Sequence, residues 1–257
     1  MSGCNVPAMG RLDGKVSFIT GSGAGIGRAT ALRFASEGAA VAVAELHAAA
    51  GAETVALVTA AGGRALYVPT DVTDEESVAA AFAETAAHFG RLDILHNCAG
   101  GSVVEDKPVT EIDWSVWQRT LALDLEGTAL CCRHGIPLII AAGGGAVINM
   151  SSTAARQPWP AHAYSAAKGA VISLTRSLAR TYARRGVRVN AICPGYVLTE
   201  RVKSRMGPTE EADFRRKSPF AIGEPADIAA IAAFLASEDS RMITGASLPA
   251  DGGISYG

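Results

Sequence analysis

The chain has 257 residues, of which 49% are hydrophobic, 19% charged and 6% aromatic, and 23 Lys and Arg against 25 Asp and Glu leave a net charge of −2. Such a balance lacks the dense basic face that nucleic acid or an anionic membrane surface requires, and the length suits one α/β domain around a single large core. The five cysteines (Cys4, Cys98, Cys131, Cys132 and Cys193) are scattered and form no CxxC pair, so they point to neither a disulfide framework nor a metal site.

The chain opens on MSGCNVPAMG, which has no charged region followed by an apolar run, so no signal peptide is expected. Residues 1–12 read as a mobile tail ahead of one domain, 13–257. Short apolar runs rich in Val and Ile then alternate with alanine-rich stretches of helical length. Strands are predicted at 15–20, 39–45, 65–70, 92–97, 145–150, 187–192 and 246–250, and helices at 26–36, 48–61, 75–89, 113–142, 164–184 and 227–236. Strands that are apolar throughout need cover on both faces. Repeated strand–helix–strand units therefore predict a doubly wound α/β fold of Rossmann type, a parallel seven-stranded sheet with its ligand beyond the carboxyl ends of the strands. The longest uncharged apolar stretch, IPLIIAAGGGAVINM, is interrupted by glycines and Asn149 and falls short of the ~20 residues of a membrane span. A soluble, cytoplasmic protein is expected. The segment 200–224, mixed in charge and carrying Pro208 and Pro219, is predicted to be irregular and to act as a lid.

The first predicted strand runs directly into Thr20–Gly27, TGSGAGIG, which opens a helix. Its glycines, Gly21, Gly23, Gly25 and Gly27, permit a tight turn and let backbone N–H groups and a helix N-terminus approach a pyrophosphate. Glu45 closes the second strand at about the 20-residue offset where a carboxylate accepts hydrogen bonds from ribose hydroxyls and repels a 2′-phosphate. No Arg or Lys adjoins it in AVAELHAAA, and His47 is the one neighbour that softens the preference. The cofactor is thus expected to be NAD rather than NADP. Tyr164 and Lys168 stand four apart on a predicted helix and project from one face. A neighbouring ammonium, aided by an oxidised nicotinamide, favours the phenolate of a tyrosine whose ordinary pKa is about 10. Tyr164 can then take the hydroxyl proton of an alcohol while hydride passes to the nicotinamide.

From Gly14 to about Gly253 the chain resembles the short-chain dehydrogenase/reductase family. The resemblance rests on six segments in the family's order: the glycine loop, DVTD (Asp71–Asp74), NCAG (Asn97–Gly100, with Cys98 in place of a second Asn), YSAAK (Tyr164–Lys168), PGYVLT (Pro194–Thr199) and TGASLPADGG (Thr244–Gly253). It implies that Ile26 joins the glycines at the phosphates, that Asp71 and Val72 flank the adenine, and that Asn97, Ala99 and Gly100 border the cofactor. It also implies that Lys168 holds the nicotinamide ribose and that Pro194, Gly195, Val197 and Thr199 grip the carboxamide. The family places a catalytic serine near the end of the fifth strand. Ser152 fits the strand match and is favoured, while Ser151 has the family's usual count of 13 residues before Tyr164. In LALDLEGT (Leu121–Thr128) Asp124 replaces a family asparagine that helps hold a water behind the lysine. A carboxylate there accepts but does not donate, and its charge opposes the effect of Lys168 on Tyr164.

These readings imply an NAD-dependent oxidoreductase for a small-molecule secondary alcohol or ketone, without a metal. Gln157, Trp159, His162 and Tyr196 are expected to line its substrate pocket. A homotetramer built through the helices at 113–142 and 164–184 is implied by the family and suits a mean hydropathy of +0.21. The alternatives are a non-catalytic NAD-binding regulatory or structural protein and a nucleotide-sugar epimerase, the latter needing a larger C-terminal substrate domain than the residues after Pro194 provide.

Overall fold

The computed structural model describes residues 10–256. Seven strands form one parallel sheet: β1 (Val16–Thr20), β2 (Ala40–Glu45), β3 (Arg64–Pro69), β4 (Ile94–Asn97), β5 (Gly145–Met150), β6 (Val187–Pro194) and β7 (Ser247–Ala250). Their order across the sheet is β3-β2-β1-β4-β5-β6-β7, so the winding reverses between β1 and β4. The carboxyl ends of those two strands diverge into loops at that point, which opens a crevice.

The helices are α1 (Gly25–Ser36), α2 (Ala48–Ala60), α3 (Glu75–Phe89), α4 (Trp114–Leu121), α5 (Gly127–Ala141), α6 (His162–Tyr182), α7 (Glu200–Lys203), α8 (Pro208–Lys217) and α9 (Pro225–Ala236). Successive side chains of a strand face opposite ways, and the buried residues divide accordingly. Phe18, Ala40, Ala42 and Val147 pack with Phe82 of α3 and with Cys131 and Ile136 of α5. Ile19, Val41, Val43 and Ile148 pack with Phe34 of α1 and with Ile228 and Leu235 of α9. The rings of Phe18 and Phe82 stack at 4.1 Å, joining the central strand to α3.

Three features depart from the sequence reading. The helix predicted over 113–142 is two helices, α4 and α5, joined by a π-helical turn at Ala122–Glu126. The wider turn adds a residue to the helix repeat and places Asp124 in the interior. The segment 200–224, expected to be irregular, contains α7 and α8. Thr199 caps α7 by accepting from the Val202 N–H at 3.2 Å, and an i,i+4 pair between Arg215 and Glu211 at 2.6 Å supports α8. Residues 1–9 of the expected tail, with Cys4, lie outside the described residues. Arg11 pairs with Glu37 and Leu12 is fully buried, so the packed domain begins ahead of residue 13. Among the described residues no helix is long and apolar enough to cross a membrane.

Candidate active site

A cleft of about 690 Å³ runs along the carboxyl ends of β1, β2, β4, β5 and β6. Its floor begins at α1, whose first turn has neither a side-chain cap nor an acidic residue. The N–H groups of such a helix start are left without helical partners and suit a phosphate. Gly25, at the start of α1, has φ +52, a conformation that favours glycine. Glu45 at the end of β2 is held by two backbone donors, Gly23 N–H at 2.9 Å and His47 N–H at 3.0 Å, one on each carboxylate oxygen. A carboxylate has about four lone-pair sites, so both oxygens retain room for ribose hydroxyls. Arg28, the cation of the glycine loop, is committed to Glu53, Thr54 and the Gly23 carbonyl. Asp71, Val72, Pro194, Gly195 and Val197 line the same cleft, and Thr199 stands against Gly25. These residues fit a nicotinamide dinucleotide.

Two expected cofactor residues do not face the cleft. Asn97 is buried and turned into the sheet, where its amide donates to Asn149 at 2.8 Å and Asn149 donates to Thr175 at 2.9 Å. Gly23 spends its N–H on Glu45. The rest of the NCAG segment does reach the cleft, because Thr20 Oγ1 accepts from the N–H groups of Cys98 and Ala99 at 2.9 and 3.0 Å and pins the loop to the end of β1. Cys98 is no nucleophile there, since burial pushes its thiol up to about 12.

The reactive groups meet where α6 crosses the end of β5. Lys168 Nζ donates to Asp124 Oδ1 at 2.9 Å and to the Met150 carbonyl at 3.0 Å, and lies 5.6 Å from the Tyr164 ring centroid. An ammonium has three donors, two of which these contacts use, and Lys168 is among the residues lining the cleft. Asp124 Oδ1 also accepts from Gly101 N–H at 2.8 Å, so both of its bonds use one oxygen. Ser152 lines the cleft together with Tyr164, and its hydroxyl counters the rise in the Tyr164 pKa. Ser151 instead is buried and donates to the Lys168 carbonyl at 2.8 Å. Of the two serines, it is Ser152 that the structure brings to the tyrosine. Between Ser152 and α6 lies the short 3-10 turn Thr153–Ala155.

Burial raises the pKa of Tyr164. Lys168 acts against that rise, Asp124 adds to it, and Ser152 and Arg201 reduce it. Burial alone would lower Lys168, yet Asp124 above all, by its charge and its hydrogen bond, outweighs it and holds the ammonium above the ordinary lysine value. The site therefore keeps a charged lysine beside a neutral phenol.

Of the expected pocket residues, Trp159 and Tyr196 line the cleft, joined by Phe214 of α8, which stacks on Tyr196 at 3.9 Å. Gln157 lies outside it, and His162 faces away, its Nδ1 accepting from Val109 N–H at 3.0 Å. Two residues escaped the sequence reading. Arg201 of α7 reaches the loop at Gly100 and Gly101. Asp106 accepts from the N–H groups of Ala163 and Tyr164 at 3.1 and 2.8 Å and so anchors the first turn of α6 from more than 50 residues away. Neither belongs to a local motif. A carboxylate that caps a helix from a distant loop leaves no trace in spacing.

A family model described as enoyl-(acyl carrier protein) reductase matches residues 21–255. The chain is 43% identical to cis-4-hydroxycyclohexanecarboxylate dehydrogenase of Sinomonas cyclohexanicum over 93% of this chain and 96% of that protein. It is also 43% identical to D-threitol dehydrogenase of Mycolicibacterium smegmatis, over 95% and 94%. Among solved structures it superposes on a 7α-hydroxysteroid dehydrogenase in complex with NADH and 7-oxo glycochenodeoxycholic acid with a TM-score of 0.90 and 33% identity, covering 95% of each chain.

Loss of the distant cap is open to direct test. Asp106→Ala is expected to cost about 0.5–2 kcal/mol of stability and to speed hydrogen exchange at the amides of Ala163 and Tyr164 above all. Unchanged exchange at those two amides would show that α6 is held without Asp106.

Proposed function

The chain belongs to the short-chain dehydrogenase/reductase family, and from that premise we propose that it is an NAD-dependent dehydrogenase of secondary alcohols and diols that reduces the matching ketones in reverse. The observation that carries this reading is the meeting of Tyr164, Ser152 and Lys168 at one end of a dinucleotide-sized cleft. The dehydrogenases to which the chain is similar are named for a hydroxycyclohexanecarboxylate, threitol and a hydroxysteroid, all bearing hydroxyl groups. Nothing supports a non-catalytic binder: the three polar groups the chemistry needs are all present and directed to one place.

When bound, the nicotinamide supplies the acceptor or donor of hydride at the carbinol carbon. Ser152 orients the substrate oxygen by a hydrogen bond, and Tyr164 accepts the hydroxyl proton or returns it. Lys168 keeps its charge through Asp124, stabilises the Tyr164 phenolate and offers its remaining N–H to the ribose. Oxidation requires the phenolate. A pKa held above the usual tyrosine value makes that form scarce at neutral pH, so oxidation gains as pH rises and reduction, which needs the neutral phenol, does not.

NAD is favoured over NADP because Glu45 is fixed at the ribose end and Arg28 is already paired. Four of the cysteines, Cys98, Cys131, Cys132 and Cys193, are free thiols, which suits the reducing cytoplasm. A homotetramer through α4, α5 and α6 is the assembly we infer.

Three measurements test these points. Asp124→Asn retains an oxygen where Oδ1 accepts both of its bonds but removes the charge that raises Tyr164. The alkaline-rising limb of kcat for alcohol oxidation should therefore move to lower pH, a shift of one unit being worth about 1.4 kcal/mol. Tyr164→Phe should abolish turnover in either background while retaining NAD binding. A limb displaced to higher pH would mean that Asp124 serves chiefly to keep Lys168 charged. Titration with each dinucleotide should show NAD bound at least about tenfold more tightly than NADP, with the ratio relaxed in Glu45→Ala; equal affinities in the parent protein would remove the ribose-carboxylate argument. Light scattering at micromolar concentration should give four times the chain mass, and a monomer would contradict the assembly.

A further inference from the structure

The family motifs leave Arg201 without a task. It stands in α7, two residues beyond Thr199, and its Nη2 makes one long hydrogen bond, 3.3 Å, to the Gly100 carbonyl. The guanidinium packs over Gly101, whose φ of +129 and missing side chain leave space for it. A β-carbon on neighbouring Gly100 would collide with Asp124 and approach Lys168 Nζ to 3.4 Å. Arg201 and the Lys168–Asp124 pair therefore flank the same two-residue stretch of backbone, and the positive charge of Arg201 is felt at the Tyr164 hydroxyl. A guanidinium carries five donors. Arg28, Arg215 and Arg216 are each held by an acidic partner, whereas among the described residues no carboxylate pairs with Arg201.

Of the three charged residues of the short helix, Lys203 pairs with Glu224, while Glu200 and Arg201 are directed to different parts of the cleft. The Glu200 carboxylate lies near Gly25 at the start of α1, the phosphate end. Arg201 points instead to Gly100, Gly101 and Tyr164, the end where the substrate reacts. Trp159, Tyr196 and Phe214, which line the same cleft as Arg201, form an aromatic wall, with ring centroids 5.9 Å apart for the first pair and 3.9 Å for the second. A planar cation with donors to spare in one cleft with an aromatic wall matches a carboxylate on an apolar body, which it can bind through two parallel hydrogen bonds.

We propose that Arg201 is a specificity-determining residue that pairs with a substrate carboxylate, so that the preferred substrates are hydroxy acids whose apolar body rests on Trp159, Tyr196 and Phe214 while the carbinol meets Tyr164. This rests on the dehydrogenase reading above. It adds the second anchor point, which fixes which face and which hydroxyl of the substrate are presented.

The test uses the full chain with NAD and a panel of hydroxy acids, cyclic and linear, each paired with its methyl ester. The acids should exceed their esters in kcat/KM by about 10- to 100-fold, the range of a charge-assisted hydrogen bond gained or lost. Arg201→Met should collapse that ratio toward one, chiefly by raising KM for the acids, and Arg201→Lys should restore part of it. Calorimetry on the NADH complex provides a readout free of turnover: cyclohexanecarboxylate should bind and cyclohexanecarboxamide should bind at least tenfold more weakly, with the difference absent in Arg201→Met. Esters oxidised as well as acids, equal binding of carboxylate and carboxamide, or an Arg201→Met variant whose defect is a raised KM for NAD at an unchanged acid-to-ester ratio would each overturn the proposal. If no acid or ester yields NADH, the dehydrogenase reading fails, and the calorimetric comparison still decides whether Arg201 binds a carboxylate.

Discussion

A lysine ammonium and an aspartate meet at 2.9 Å with only 3% and 1% of their side chains exposed, and the rest of the site is arranged around that contact. Taking both charges out of water carries a penalty of several kcal/mol per ion, offset only when geometry is good and the remaining donors are used. Here Lys168 also bonds the end of β5 at Met150, and Asp124 also bonds the loop after β4 at Gly101. The pair thus fastens α6, the π-helical turn, β5 and the glycine-containing loop to one another. Removing either partner would leave the other buried without its counter-charge, so the pair is a positional constraint as well as an electrostatic one.

The electrostatic consequence concerns the tyrosine. A lysine alone would favour the phenolate; a lysine neutralised by a buried carboxylate favours it less. Asp124 therefore acts in two directions, keeping the ammonium charged while cancelling part of its field at Tyr164. The geometry assigns the sign of that balance: burial and Asp124 raise the phenol's pKa, and the site holds its proton more tightly than an exposed tyrosine would. The part of the cleft at the start of α1 follows another logic. It is built mainly from backbone (the open start of α1, the loop pinned by Thr20), with Glu45 fixed in place by two N–H groups before any ligand arrives.

Much of this was legible in the chain. Buried parallel strands need apolar residues on both faces, and runs such as VSFIT and AVAVAE carry that requirement openly. Tyr164 and Lys168 could be placed because a fixed helical spacing ties them to one face. Glu45 could be placed because it ends a strand. Side-chain direction at the end of a strand was less accessible: Asn97 sits in a cofactor motif, yet its amide turns into the sheet toward Asn149. The helices of 200–224 were hidden because α7 is four residues long and α8 is highly charged, neither presenting an apolar stripe. The π-helical turn left no mark on the helical pattern of 113–142, although it is what buries Asp124. Asp106 and Arg201 were invisible for a simpler reason. Each acts on backbone more than 50 residues away, and such contacts exist only once the chain has folded.

The most direct measurement of the central claim is a titration of the Tyr164 phenol itself, by carbon-13 NMR of the protein labelled at tyrosine Cζ, with Tyr164→Phe to assign the resonance. In the cofactor-free protein the midpoint should lie above the ordinary tyrosine value of about 10 and should fall in Asp124→Asn. A midpoint at or below that value in the parent protein, or one that the loss of the Asp124 charge leaves in place, would contradict the account.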